Sequence, residues 1–171
     1  MKRFITIIIV LVISFSIVSC STPDYDTQTI QPIALEPNNR KDDNNNEKSE
    51  DDLIMNKDLS LRINNTLVDV IWLENDSVNA LKKLAKDNLI IEMKMYGGFE
   101  QVGSLGKTIT SADTNIITSP GDIVLYSSNQ IVIFYNSNSW SYTKLGHINL
   151  SKDELTDLLA NGNVTITISL K

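Results

Sequence analysis

The chain has 171 residues, a formal charge of -6 and 42% hydrophobic residues, a composition that predicts one globular domain with room for an additional tail. The negative charge argues against nucleic-acid binding, because that function requires a basic surface to displace phosphate counterions. Cys20 and His147 are the only residues of their types. The sequence therefore excludes an internal disulfide and a zinc site built on several thiolates, and we predict neither a metal nor a cofactor.

The first twenty residues, MKRFITIIIVLVISFSIVSC, have the pattern of an export signal. Lys2 and Arg3 precede an apolar segment of about 15 residues, whereas a helix that spans a bilayer needs roughly 20. Residues 17–20 end this segment and resemble a bacterial lipobox, whose cysteine is lipidated before cleavage. The resemblance implies a signal peptide over 1–19 and a lipid anchor at Cys20, on the extracytoplasmic side of a bacterial membrane.

Residues 20–57 predict a flexible, acidic and Asn-rich tether. They contain three prolines and a polar run over 38–52, without the apolar periodicity that could offset the entropy of ordering. Residues 21–58 hold ten acids and four bases, net -6, whereas residues 59–171 hold eleven acids and nine bases, net -2. The predicted domain over 58–171 therefore has little electrostatic preference for a partner.

The domain begins with a pattern typical of a β-hairpin. Apolar residues alternate over 59–63, and TLVDVIWL over 66–73 continues as a second strand after an Asn-Asn turn. Possible helix caps at 75–77 and apolar residues at helical spacing predict a helix that ends near Asn88. LIIEMKMY over 89–96 predicts a strand, and the GGFEQVGSLGK segment after it predicts a glycine-rich loop.

The second half of the domain predicts more strands and a second helix. IVLY (123–126) and IVIFY (131–135) predict two strands, and WSYTKLGHI predicts another from Trp140 onward. A capping box at Ser151 and Glu154 opens a short helix, and VTITISLK alternates strictly as the last strand. The result is a mostly antiparallel β domain with two helices, in which closure into a barrel would remove exposed edge strands.

Common catalytic motifs are absent from the sequence. Gly106-Lys107-Thr108 imitates the end of a phosphate-binding loop, but the motif's first glycine is replaced by Gln101 and no helix follows. His147 has no Gly-x-Ser-x-Gly turn to accompany it, and a solvent-facing histidine on a strand is the preferred interpretation. The acidic residues of the domain are scattered singly, so neither a glycosidase pair nor a calcium loop is predicted.

The order of elements and the stretch GDIVLYSSNQIVIFYNSNSWSYTKLGHIN, residues 121–149, resemble the bacterial cyclophilin-like group. The shared features are the spacing of Gly-Asp, Asn-Gln-Ile-Val, Trp, Tyr and Leu-Gly. The resemblance covers most of residues 59–171. It implies a closed antiparallel eight-stranded barrel with a capping helix at either end and a peptide-binding groove on one outer face.

The resemblance also implies where prolyl isomerase chemistry would lie. Cyclophilins direct an arginine at the proline nitrogen to lower a rotation barrier of about 18–20 kcal/mol, and their Phe-His-Arg-Val motif corresponds here to Phe99-Glu100-Gln101-Val102. Gln101 takes the place of the arginine, and a neutral amide forms weaker hydrogen bonds than a guanidinium. We therefore predict that the domain is not an enzyme.

The predicted groove residues are those that the resemblance aligns with the groove. Gln130 and Trp140 match a glutamine and a tryptophan of the family, Val132 replaces an aromatic wall, Tyr142 replaces a histidine, and Phe99 and Gln101 complete the set. We predict a binding site for a peptide or a small molecule. The alternatives are a weak prolyl isomerase that acts on exported proteins, an unrelated small β-rich lipoprotein, and aromatic residues at 140 and 142 that only cover an end of the barrel.

Overall fold

The computed structural model describes residues 49–171. The predicted signal peptide over 1–19, the lipidated Cys20 and the tether up to residue 48 lie outside the described residues. The described part contains three α-helices and one 3-10 turn: α1 (Glu50–Met55), α2 (Asp76–Leu84), α3 (Lys152–Leu159) and the turn Ala85–Asp87. Between residues 49 and 171, no helix combines the length and apolarity needed to cross a membrane.

Ten antiparallel strands form the rest of the regular secondary structure between residues 49 and 171. They are β1 (Leu59–Ile63), β2 (Thr66–Val68), β3 (Val70–Trp72), β4 (Leu89–Tyr96), β5 (Glu100–Ser104), β6 (Thr114–Ile117), β7 (Asp122–Tyr126), β8 (Gln130–Phe134), β9 (Ser139–Ile148) and β10 (Val164–Leu170). Their hydrogen-bonded order is β2-β1-β10-β4-β5-β8-β7-β9-β3, with β6 paired to β9 beside this path. The prediction of a mostly antiparallel β domain is confirmed.

The prediction of a closed eight-stranded barrel is wrong in strand number and in closure. The run over 66–73, expected to be one strand, divides at Asp69, so that its first half pairs with β1 and its second half pairs with β9. The two halves are thus the two ends of an open hydrogen-bonded path, and among the described strands they do not pair with each other. The interruption occurs because the chain changes partners at Asp69.

The predicted glycine-rich loop after β4 is also corrected by the structure. Gly97 and Gly98 form a turn with φ of +60° and +71°, a conformation that glycine adopts without steric cost. Residues 100–104 of the same segment then form β5, which pairs with β4 on one side and β8 on the other. The sequence pattern does not indicate this strand, because only part of its surface faces the core and its apolar content is therefore low.

The last residues of the predicted tether form α1. Ser49 caps this helix by accepting a hydrogen bond from the Asp52 backbone N–H, and Ile54 is buried. Lys82 and Lys83 of α2 reach α1: one donates to the Met55 carbonyl at 2.9 Å, and the other pairs with Asp51 at 2.8 Å. The prediction of a flexible tether up to residue 57 is therefore wrong for Glu50–Met55, which form a helix that packs against the domain.

Two separate apolar clusters cover the two faces of the sheet at β7 and β8. Ile123, Leu125, Ile131 and Ile133 belong to the main core, which also contains residues of β1, β10, α2 and α3. The alternate residues, which include Val124, Val132 and Phe134, belong to a second, smaller cluster on the opposite face. Burial on both faces explains why these two strands have continuous apolar sequences instead of alternating ones.

Candidate ligand-binding groove

A concave groove of about 800 Å³ lies on the face of the sheet that carries the second cluster. It is formed by β4, β5, β7, β8 and β9 together with Asn138, which precedes β9. Its lining combines aromatic, amide and ionisable side chains: Glu92, Lys94, Met95, Tyr96, Glu100, Val102, Ser104, Tyr126, Gln130, Val132, Asn138, Trp140 and Tyr142, with the backbone of Gly103. This is the mixture of apolar surface and a few polar groups that ligand pockets use.

Strand register decides which residues of β5 face the groove. Val102 lies opposite Lys94 on one side and Val132 on the other, and Glu100 lies between Tyr96 and Phe134. Ser104 continues the same face, because successive side chains of a strand point to opposite sides of the sheet. The even-numbered residues of β5 therefore belong to the groove.

Tyr126 and Tyr142 form the floor of the groove and belong to an aromatic cluster that continues beneath it. The Phe134 and Tyr142 rings meet edge to face with centroids 5.7 Å apart, and Tyr126 meets Tyr142 in the same way at 5.8 Å. Phe99 stacks parallel to Phe134 at 6.5 Å. Such pairs contribute about 0.5–1.5 kcal/mol each beyond the burial of their area, so the floor is a stable surface and does not depend on a ligand.

Gln101 does not line the groove, contrary to the sequence prediction. Its side chain is fully buried on the opposite face of β5, where Nε2 donates to the carbonyl oxygens of Leu159 and Gly162, each at 2.6 Å. It thereby satisfies backbone acceptors at the C-terminal end of α3, a position where helical carbonyls lack intrahelical partners. Gln101 therefore has a structural role. It does not take the place of a catalytic arginine in the groove, because alternate side chains of a strand point to opposite faces of the sheet.

The structure brings four of the other predicted residues together. Gln130, Val132, Trp140 and Tyr142 all line the groove, whereas Phe99 packs behind it in the second cluster. Trp140 is 59% exposed at the wall, and Tyr142 is buried with its hydroxyl accepting a hydrogen bond from Asn138 Nδ2 at 3.1 Å. The two aromatic residues thus have different positions, one on the wall and one in the floor.

Glu100 is one of several groove residues that the sequence prediction missed. Its side chain is only 6% exposed, and Oε2 has no hydrogen-bond partner in the part of the chain that the structure describes. Burial raises the pKa of Glu100 to about 7, because removal from water penalises the charged form. The alternation of Glu100, Val102 and Ser104 could have indicated its orientation, had residues 100–104 been predicted as a strand.

His147 lies outside the groove, on β9, as predicted. Its Nδ1 is 2.8 Å from Asp122 Oδ1, and Lys144 Nζ is 2.9 Å from the same oxygen. Burial alone would raise the pKa of Asp122, but hydrogen bonds from Lys144, His147 and the Ser119 backbone hold it below its usual value. These contacts assign Asp122 and His147 to the structure of the strand pair. Over residues 49–171, no group of three histidine, cysteine, aspartate or glutamate side chains could hold a metal ion.

Comparisons with known proteins identify the family of this chain but no individual relative. No curated protein and no solved structure matches it. The model of the cyclophilin-like family matches residues 61–169, a range that contains β1 to β10 almost entirely and every residue of the groove. The chain therefore belongs to the cyclophilin-like family.

Proposed function

We propose that the chain is a lipid-anchored extracytoplasmic protein whose cyclophilin-like domain binds a peptide or a small molecule without catalysing a reaction. The groove carries this proposal, because about 800 Å³ lies within the roughly 300–1,000 Å³ typical of ligand pockets. Its aromatic floor offers apolar contact, and Gln130 and Asn138 offer amide hydrogen bonds that can orient a ligand. The alternative of an unrelated β-rich protein is wrong, because the family match covers most of the domain.

The arginine content of the domain supports a role in binding over prolyl isomerisation. Arg62 is the only arginine among residues 49–171, and it lies on β1, where it donates to the Asn65 carbonyl at 3.1 Å. The groove lining contains no arginine among the described residues. The chemistry of cyclophilins requires a hydrogen-bond donor aimed at the prolyl nitrogen. Here that donor would have to be a weaker group than arginine.

Binding in the groove can be tested with N-acetylphenylalaninamide, a neutral probe with one aromatic ring and one peptide-like backbone. Added to the ¹⁵N-labelled full chain in mild detergent, it is expected to shift backbone amide signals of β5, β8 and β9. Trp140→Ala should weaken binding about fivefold, because loss of one aromatic contact costs about 1 kcal/mol. The control Ile117→Ala removes another exposed apolar residue, one that does not line the groove, and it should leave the affinity unchanged.

Two results would contradict groove binding. One is an absence of shifts up to the solubility limit of the probe, and the other is shifts that are confined to residues outside the groove. The non-catalytic part is tested separately by measuring cis–trans exchange of a proline tetrapeptide by NMR in the presence of the full chain. Exchange faster than in buffer would favour the weak isomerase instead.

The anchor is supported by the pattern of residues 1–20. Expressed in a bacterium supplied with radiolabelled palmitate, the chain is expected to incorporate label and to fractionate with membranes. Cys20→Ala should abolish labelling, since the thiol is the acceptor of the lipid, whereas Ser21→Ala should retain it. Label that persists in the Cys20→Ala variant would refute anchoring at this residue.

A further inference from the structure

We infer that the groove recognises a guanidinium or ammonium group carried on an apolar stem, and that the Glu100 carboxylate is its partner. This inference rests on the proposed function and names the chemical class of the ligand. It follows from three features of the groove: an unpartnered buried carboxyl group, aromatic walls and the distribution of charge.

The first feature is an oxygen of a buried carboxyl group, Glu100 Oε2, that has no hydrogen-bond partner among residues 49–171. Glu100 is more than nine-tenths buried, and it lines the groove. Buried polar atoms are nearly always paired, and an unpaired buried charge is costly. A ligand that donates hydrogen bonds from a positive group would remove this cost, and a guanidinium can do so through two parallel bonds.

The second feature is the aromatic surface next to the carboxyl group. Tyr96 lies directly across the strand pair from Glu100, and Tyr126, Trp140 and Tyr142 also line the groove. The faces of aromatic rings attract cations by about 0.5–2 kcal/mol and also accommodate the methylene groups of an alkyl stem. The same walls provide no comparable attraction for an anionic ligand.

The third feature is the charge of the lining. Among the described residues, Glu92 and Glu100 are the acids of the lining and Lys94 is its one base, so with both acids ionised these residues give the groove a net charge of -1. Among the ion pairs of residues 49–171, none includes Glu100. Lys94 lies opposite Val102, two pairs further along the ladder, and forms no ion pair with the carboxylate among the described residues.

Protonation of Glu100 couples this recognition to pH. Burial raises the pKa of Glu100 to about 7, so the competent, ionised form increases as pH rises through neutrality. The charged and titratable groups around it are Glu92, Lys94 and Tyr96 of β4, Tyr126 of β7, Tyr135 after β8 and Tyr142 of β9. Burial also raises the pKa of Tyr135 and Tyr142, so these phenols stay protonated over the range in which Glu100 ionises.

A pair of probes that differ only in charge tests the inference. N-acetylargininamide carries a guanidinium, and N-acetylcitrullinamide carries a neutral urea of nearly the same shape. With the full chain at pH 8, the arginine probe should bind at least tenfold more tightly. Glu100→Gln should abolish this preference, whereas the matched control Glu74→Gln, which removes an exposed acid outside the groove lining, should keep it.

The pH profile provides a second, independent readout. Between pH 8 and pH 6 the affinity of the arginine probe should fall about tenfold, because the ionised fraction of Glu100 falls by that factor. The citrulline probe, and the arginine probe on Glu100→Gln, should show no such decrease. Thermal unfolding of each variant checks that the fold is retained.

The outcomes separate the inference from the proposed function. Equal affinities for the two probes, or a preference that survives Glu100→Gln, would overturn recognition of a cation while leaving groove binding intact. Binding of N-acetylphenylalaninamide without binding of the arginine probe would also overturn it. Failure of all three probes would instead refute the proposed function.

Discussion

Glu100→Gln is expected to stabilise the folded chain at pH 8 by roughly 3 kcal/mol. The pKa of Glu100 rises from 4.5 to about 7 on folding, and a pKa difference of one between the folded and unfolded states corresponds to about 1.36 kcal/mol. Because the folded state holds its proton more tightly than the unfolded state, the wild type loses stability as pH rises from about 4.5 to about 7 and stays at the lower value above 7. The amide variant cannot ionise and avoids this loss.

Urea denaturation at pH 4 and pH 8 measures the effect. At pH 4 the carboxyl group is mostly protonated in both states, so the free energies of unfolding of the variant and the wild type should differ by less than about 0.5 kcal/mol. Asp122, whose lowered pKa makes it lose stabilisation in acid, contributes equally to both proteins and cancels in the difference. Glu92→Gln, at an exposed site, is the control and should change stability by less than about 0.5 kcal/mol at either pH. A pH-independent effect of Glu100→Gln would show that its carboxyl group is not desolvated.

Gln101→Arg is expected to destabilise the domain by about 3 kcal/mol or more and to create no isomerase activity. The native side chain is fully buried and donates to the Leu159 and Gly162 carbonyls. A guanidinium at this position would bring a longer side chain and an unpaired charge into a packed interior, and both changes are costly. Since this face of β5 is turned away from the groove, the arginine could not reach a bound peptide.

The matched control places the same side chain inside the groove. Gln130→Arg changes a half-buried residue that lines the groove, and its free energy of unfolding should stay within about 1 kcal/mol of the wild type. Denaturant unfolding gives the stability of both variants, and NMR exchange of a proline peptide shows whether either variant accelerates isomerisation. A stable Gln101→Arg protein that accelerates isomerisation would contradict the orientation of β5.

The local patterns of the sequence predicted most of the individual elements. The capping box of Ser151 and Glu154 is present at the start of α3, and the alternating residues of β10 bury Val164, Ile166 and Ile168. These features are predictable because capping and alternation depend on residues that are close together in the chain. The family resemblance, confirmed over 61–169, came from spacing within one long segment.

Three features could not be predicted in the same way, because each depends on residues distant in sequence. The break at Asp69 exists because β2 and β3 pair with different strands. Helix α1 forms in a polar segment because Ile54 becomes buried and lysines of α2 bond to the helix. The strand β5 has little apolar content and is stabilised by ladders to β4 and β8, which its own sequence does not reveal.

The candidate site shows most clearly what the sequence predicts and what the three-dimensional structure adds. The sequence predicted the β-rich class from its apolar patterns, and its resemblance to a known family predicted four residues on β8 and β9 that line the groove. The orientation of β5, with Glu100 towards the groove and Gln101 towards the core, is visible only in the three-dimensional structure. A one-residue change in the assignment of a strand exchanges its two faces, and on β5 the pairing with its neighbours makes that choice.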